Sequence, residues 1–243
     1  MPETSRLTWK RFAIEAPVIV ISILLAFAID AWWQDRGERR AELVLLERLR
    51  SDFLELRSAL KVVEDEHDEA RTACLALLQI PAGDAVPETP EFDRMVTLVF
   101  LASRTFNPGS GAVASFHGNE EAQLLVNREL ADRLLAWSGL VDELQEEEAN
   151  LQKGVAERWS PFIASRVSLG PYLRGAGEPG ADIPAHIVAP ESRQALIVDA
   201  TFTNHVLDRF KWQQLALRDI GPVQSAVAEI LELIEAELGN RDM

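Results

Sequence analysis

The feature that most constrains this chain is its first 33 residues. Phe12 to Ala31 is a mostly apolar run of twenty residues. As a helix it measures about 30 Å, the thickness of a bilayer's hydrocarbon core. Trp9 precedes the run, and Trp32 and Trp33 follow it, where interfacial aromatic belts belong. The run passes without a turn residue into charged sequence of helical pattern. A chain built this way reads as a single-pass membrane protein: a short polar tail at 1–11, a transmembrane helix at 12–33, and a domain at 34–243 hung from it. Glu15, Pro17 and Asp30 interrupt the apolar run. Glu15 is four residues from Arg11 and can pair with it, and Asp30 lies near the far interface, so neither forbids a span.

Two other readings compete. In the first, Arg6, Lys10 and Arg11 head a cleaved signal peptide, Val18–Leu25 is its apolar core, and Ala26-Phe27-Ala28 is the cleavage site. Helical patterning that continues through the supposed cut speaks against it. In the second, the segment is a buried core helix, which leaves the flanking charges and the tryptophan pair unexplained. Glu15, Ile19, Ser22, Ala26 and Asp30 fall on one helical face. Small and polar residues in a stripe favour helix–helix contact in a membrane, so homo-oligomers through this face are one expectation.

Topology is less constrained. The tail carries Arg6, Lys10 and Arg11 against Glu3, and the far flank carries Arg36, Arg39, Arg40 and Arg48 among four acids. Counting Lys and Arg alone does not decide between the two sides. A positive tail ahead of an apolar run resembles a signal anchor, which favours a bacterial inner-membrane protein with its main domain in the periplasm.

The chain of 243 residues has a formal charge of −15. Basic and acidic residues cancel over the tail and span, so the domain carries the whole excess. A field of that sign disfavours nucleic acid and anionic headgroups, and no basic patch interrupts it, so no nucleic-acid partner is expected. The single cysteine, Cys74, excludes an internal disulfide and stands on an apolar stripe, where it reads as a small core residue.

Beyond the span, Leu46, Leu49, Phe53, Leu56, Leu60, Val63, His67, Ala70, Cys74 and Leu77 alternate steps of three and four. This predicts a helix running from the membrane to about Gln79, ended by Ile80-Pro81-Ala82-Gly83-Asp84. Residues 81–90 form a Pro-rich link. Thr89-Pro90-Glu91 reads as a helix start, with Phe92, Val96, Val99 and Ser103 on a short helix. Asn107-Pro108-Gly109-Ser110-Gly111 is a loop, with a short helix expected near 112–116 and a turn at Gly118-Asn119. Asn127 can cap a second long helix with Leu130, Leu134, Trp137, Val141, Leu144, Glu148, Leu151, Val155 and Phe162 on its stripe. An irregular segment spans 168–190 and could act as a mobile lid. A third long helix is expected from near Glu191, with Val206, Phe210, Gln213, Leu217, Ile220, Gln224, Val227, Leu231, Ile234 and Leu238 on its stripe and a kink at Pro222. No alternating segment supports a sheet. The expected fold is all-α: one transmembrane helix continuing into an elongated bundle of three long and a few short helices. The stripes read as bundle core rather than as an intermolecular coiled coil.

Site chemistry is sparse. Glu64-x-x-His67 has the spacing of the di-iron carboxylate bundles, which need two such motifs and two further Glu. His67 stands at a core position, and Glu148 is a possible extra ligand. The plainer reading is a solvated acidic face with one partly buried histidine. Gly109-Ser110-Gly111 lacks the spacing of a phosphate-binding loop, and no nucleophile elbow, zinc-protease or dinucleotide motif occurs. No catalytic residue and no cofactor is therefore expected, and the chain does not read as an enzyme.

The opening resembles an uncharacterised bacterial family, a domain-of-unknown-function family of single-pass membrane proteins. Ile23-Leu24-Leu25-Ala26-Phe27-Ala28-Ile29-Asp30-Ala31-Trp32-Trp33 carries the resemblance, with Arg36, Arg39-Arg40, Glu42 and Leu46-x-x-Leu49-x-x-Asp52 at similar spacing. Thr105-Phe106-Asn107-Pro108, Gly118 and Leu124-Leu125-Val126-Asn127-Arg128-Glu129-Leu130 form a second, looser stretch, in which Phe116-His117-Gly118-Asn119 replaces the family's Ser-Ser-Gly turn. The likeness implies a retained anchor and a helical domain, and no catalytic residues. Together these features describe a structural or protein-interaction module that binds a protein partner or itself. A small-molecule-binding or sensory module is the alternative, and a metal-carboxylate enzyme built on Glu64 and His67 a more remote one.

Overall fold

A computed structural model describes residues 4–81, 89–108, 124–167, 169 and 190–240, with the side chains of 4–19, 89 and 190–192 outside the description. The described residues form helices and connecting segments with no strand. Helix α1 (Thr4–Leu78) runs unbroken. Helix α2 (Thr89–Val96) widens into a π-helical turn, Thr97–Leu101. Helix α3 (Arg128–Gly154) passes through a second π turn, Val155–Trp159, into α4 (Ser160–Ala164). Helix α5 (Pro190–Ile197) precedes α6 (Ala200–Gly239). The short helix expected at 112–116 and most of the 168–190 segment lie outside the described residues.

Side-chain pairs give the directions of the long helices. Along α1 and α3, Val126 N–H reaches Glu42 at 2.8 Å, Phe53 meets Trp137 at 5.2 Å between ring centres, and His67 lies 3.7 Å from Glu148. Both residue numbers rise together, so α1 and α3 are parallel. Against α6 the order reverses: Gln213 contacts His67, Gln224 contacts Glu64 at 3.0 Å, and Arg50 pairs with Glu235 at 2.6 Å. Helix α6 is antiparallel to both and packs along each. A parallel pair requires the chain to return the full length of the bundle between them. The described parts of the chain between α1 and α3 include α2 and the non-helical stretch 102–108.

The α1 stripe is buried at every expected position from Leu46 to Leu77. The α3 stripe holds through Leu151 and then shifts. A π turn adds one residue to the helix, so Trp159 and Ile163 face inward while Val155 and Phe162 are half-exposed. On α6 the inward series is Phe202, Val206, Arg209, Gln213, Ala216, Ile220, Val223, Val227, Ile230 and Ile234. Arg209, Ala216 and Val223 thus stand where Phe210, Leu217 and Gln224 were expected, although Leu231 is also buried. The third long helix breaks after Ile197, and Asp199 caps α6 by accepting from Thr201 N–H at 2.7 Å. That backbone hydrogen bond holds the Asp199 carboxyl below its ordinary range. Helix α6 continues through Pro222, whose ring faces solvent. Ser103 lies past the π turn that ends α2.

Asn127 caps α3 as expected, accepting from Leu130 N–H at 3.1 Å, and its amide also donates to Glu237 at 2.8 Å. Asn127→Ala should cost about 1 kcal/mol, read as a shift in denaturant midpoint at unchanged slope. Ion pairs between elements, such as Arg133–Glu229 and Arg158–Asp208, are exposed and each contributes about 0–1 kcal/mol.

The bundle begins near Glu42. Every described side chain from Val20 to Ala41 is exposed, so α1 projects alone from the bundle for about 33 Å. This segment is not a core helix of the bundle. Among the described residues no helix is long and apolar enough to cross a membrane. The span expected at 12–33 lies only partly within the described side chains, which begin at Val20.

Candidate functional site

Two apolar cores fill the bundle. The one nearer the projecting helix contains Leu46, Phe53, Leu60, Trp137, Leu144, Val227 and Ile234. The distal one contains Cys74, Phe92, Phe100, Trp159, Ile163, Phe202 and Val206. Between them lies a layer of four buried polar side chains: His67 from α1, Glu148 from α3, and Arg209 and Gln213 from α6. Each occupies a core position of its helix, and helical spacing therefore delivers all four to one level.

The hydrogen-bond chemistry of the layer orders it. A guanidinium only donates, so the Gln213 oxygen faces Arg209, at 3.0 and 3.2 Å, and its amide nitrogen donates to His67 Nδ1 at 2.6 Å. An accepting Nδ1 on a neutral ring puts the proton on Nε2. That nitrogen faces Glu148 Oε1 at 3.7 Å, longer than a hydrogen bond. The other Glu148 oxygen accepts from Phe106 N–H at 2.7 Å. Arg209 donates to the Ala102 carbonyl at 2.6 Å and lies over the Trp159 ring at 4.7 Å. Gln145 reaches the Phe106 carbonyl at 3.4 Å.

Both ends of this chain of contacts therefore close on the non-helical stretch 102–108. Such a stretch has no helix or sheet partners for its backbone, and buried N–H and C=O groups must be satisfied some other way. Glu148, Arg209 and Gln145 satisfy them. Burial lowers the Arg209 guanidinium to about 10, which leaves it charged at neutral pH. The same burial pushes the Cys74 thiol up to about 12, so it stays protonated and unreactive. A second buried pair, Arg193 and Asp93 at 3.9 Å, ties α5 to α2, and burial raises the Asp93 carboxyl more than Arg193 lowers it.

The structure separates the two residues singled out as metal candidates. His67 points into the layer, whereas Glu64 points to the bundle surface, accepting from Lys61 at 3.1 Å and Gln224 at 3.0 Å. Glu148 is the carboxylate brought to His67. Among the described residues no group of three His, Cys, Asp or Glu side chains could hold a metal ion, so the di-iron arrangement is not assembled there. Arg209 was missed because an arginine does not register on an apolar stripe. Its signal was the heptad Phe202, Arg209, Ala216, Val223, Ile230, in which it is the one charged member. Of the anchor residues, Ser22, Ala26, Asp30, Trp32 and Trp33 lie on the projecting part of α1, with Trp32 and Trp33 edge to face at 5.3 Å. The side chains of Trp9 and Glu15 lie outside the description.

Compared with models of known families, with curated proteins and with solved structures, the chain finds no match.

Proposed function

We propose that the chain is a single-pass protein of a bacterial inner membrane, anchored through residues 12–33, whose acidic helical bundle is a protein-interaction module in the periplasm. One observation carries the reading. On the projecting part of α1 the apolar side chains are exposed on all sides, with Leu24 at 60% and Phe27 at 67%. A helix apolar all round needs cover, and one bounded by tryptophans is matched by lipid. The resemblance to the single-pass family points the same way.

The interaction role rests on what the bundle offers to others. Its polar layer is sealed between two apolar cores, so its accessible chemistry is its outer surface. That surface carries the formal charge of −15, which suits a partner presenting a basic face. The face through Glu15, Ser22, Ala26 and Asp30 is the place for a second copy to pack.

Three measurements test the reading. Alkaline carbonate should leave the full-length protein in the membrane pellet, and extraction into the supernatant would overturn the anchor. Paired reporters fused after Met243, one active only in the cytoplasm and one only in the periplasm, should report a periplasmic terminus. A cytoplasmic signal would make the bundle a tether for cytosolic proteins instead. In-cell cross-linking should capture a partner or a second copy, and a strictly monomeric, uncrosslinked protein would remove the interaction role.

A further inference from the structure

At the end of the bundle where α1 emerges, three elements converge on a cleft of about 780 Å³, lined by Asp35, Arg36, Glu38, Arg39, Arg40, Leu43, Val126 and Asn240. We propose that this cleft binds the phosphate of a membrane phospholipid headgroup, gripped between Arg36 and Arg40. The proposal rests on the anchored reading above.

Position is the first argument. With Trp33 at the interface, helix rise puts Arg36 and Arg40 about 4.5 and 10 Å beyond it. A headgroup layer is roughly 5–8 Å deep on each side of the hydrocarbon, and arginine stems reach back several ångströms, so both guanidinium groups meet that layer. Residues 36 and 40 are one helical turn apart and share a face.

Availability is the second. Both acids of the lining are engaged along α1 itself: Asp35 pairs with Arg39 at 2.9 Å, and Glu38 accepts from Gln34 at 3.1 Å. The Arg36 guanidinium lies over the Trp32 ring at 5.5 Å, which orients it without neutralising it. Arg40 makes no ion pair with a described residue. Arginine on phosphate is a charge-assisted and often bidentate contact, which a fixed pair of guanidinium groups favours.

The wall of the cleft is the third. Glu42 is buried and holds Val126 N–H at 2.8 Å, which fixes that wall in place. Val126 itself is 77% exposed at the mouth. The domain as a whole is strongly acidic, so an arginine-lined mouth at its membrane end singles out where an anionic group can dock.

The test is native mass spectrometry of the full-length protein released from detergent and titrated with phosphatidylglycerol. The wild type should retain lipid adducts, and the R36Q/R40Q variant should bind about tenfold more weakly or worse. R57Q, about 30 Å further along α1 and within the length of the bundle, should match the wild type, and circular dichroism should show all three equally helical. Equal adducts in wild type and R36Q/R40Q would overturn the cleft while leaving the anchor intact. Displacement of the lipid by millimolar inorganic phosphate would make this a soluble-phosphate site and overturn the lipid assignment. Release of the wild type by alkaline carbonate would remove the anchor and the headgroup proposal together.

Discussion

Glu148→Ala is expected to destabilise the bundle by about 2–4 kcal/mol, from a buried donor left without its charged acceptor and the space the side chain vacates. Three losses combine. Phe106 N–H, held at 2.7 Å, loses its acceptor inside the bundle. The Nε2 proton of His67 loses the carboxylate it faces. The layer, which also holds the fully buried Arg209, loses its one carboxylate. Glu148→Gln separates these contributions. It keeps the volume and an acceptor for Phe106 but removes the charge, and should cost about 1–3 kcal/mol. Guanidinium unfolding of the full-length protein in nanodiscs, followed by tryptophan fluorescence, measures both. An alanine variant within 1 kcal/mol of wild type would mean that water fills the gap and the layer is not sealed.

Trp159→Ala is the second large expected effect, about 3–5 kcal/mol for truncating a fully buried tryptophan. The distal core loses its largest side chain, and Arg209 loses the aromatic face beneath it at 4.7 Å. The ring sits where a side chain at position 154 would be. A Cβ on Gly154 would lie 2.6 Å from both Cη2 and Cζ3 of Trp159. Gly154→Ala alone should therefore cost about 1–3 kcal/mol by overpacking. In the Trp159→Ala background the same change should be neutral or slightly stabilising, because alanine outranks glycine inside a helix. A double-mutant cycle reads this coupling directly. Strictly additive costs would show that the glycine is not there to seat the ring.

How far the sequence reaches can be seen along single helices. On α1 apolar residues such as Leu54, Val62 and Leu75 also stand off the stripe, but every stripe position from Leu46 to Leu77 is buried. On α6 both flanks of the stripe are apolar, so Phe210 and Leu217 outbid Arg209 and Ala216 in any count of hydrophobicity. Packing decided otherwise: the small Ala216 lets helices approach, and Arg209 is held by the Ala102 carbonyl and Trp159. The shift from Val155 to Trp159 came from a π turn, which leaves no periodic trace in the sequence. The site was half legible. His67 and Glu148 stood on predicted core positions, yet local spacing pointed to Glu64, a neighbour in sequence that faces solvent. Partners drawn from three helices are set by register, and register between distant helices is what one sequence does not display.

The parallel arrangement of α1 and α3 bears on how the molecule is made. The helix that packs along both of them, α6, follows them in the sequence, so the main apolar seam joins segments far apart along the chain. A nascent chain carrying only α1 and α3 has nothing to close that seam, and its stripes stay uncovered until α6 emerges. For a helical protein this is an unusually non-local way to fold, and it places this bundle among the slower helical folders. Truncation within α6 would thus remove the closing element rather than shorten the rod.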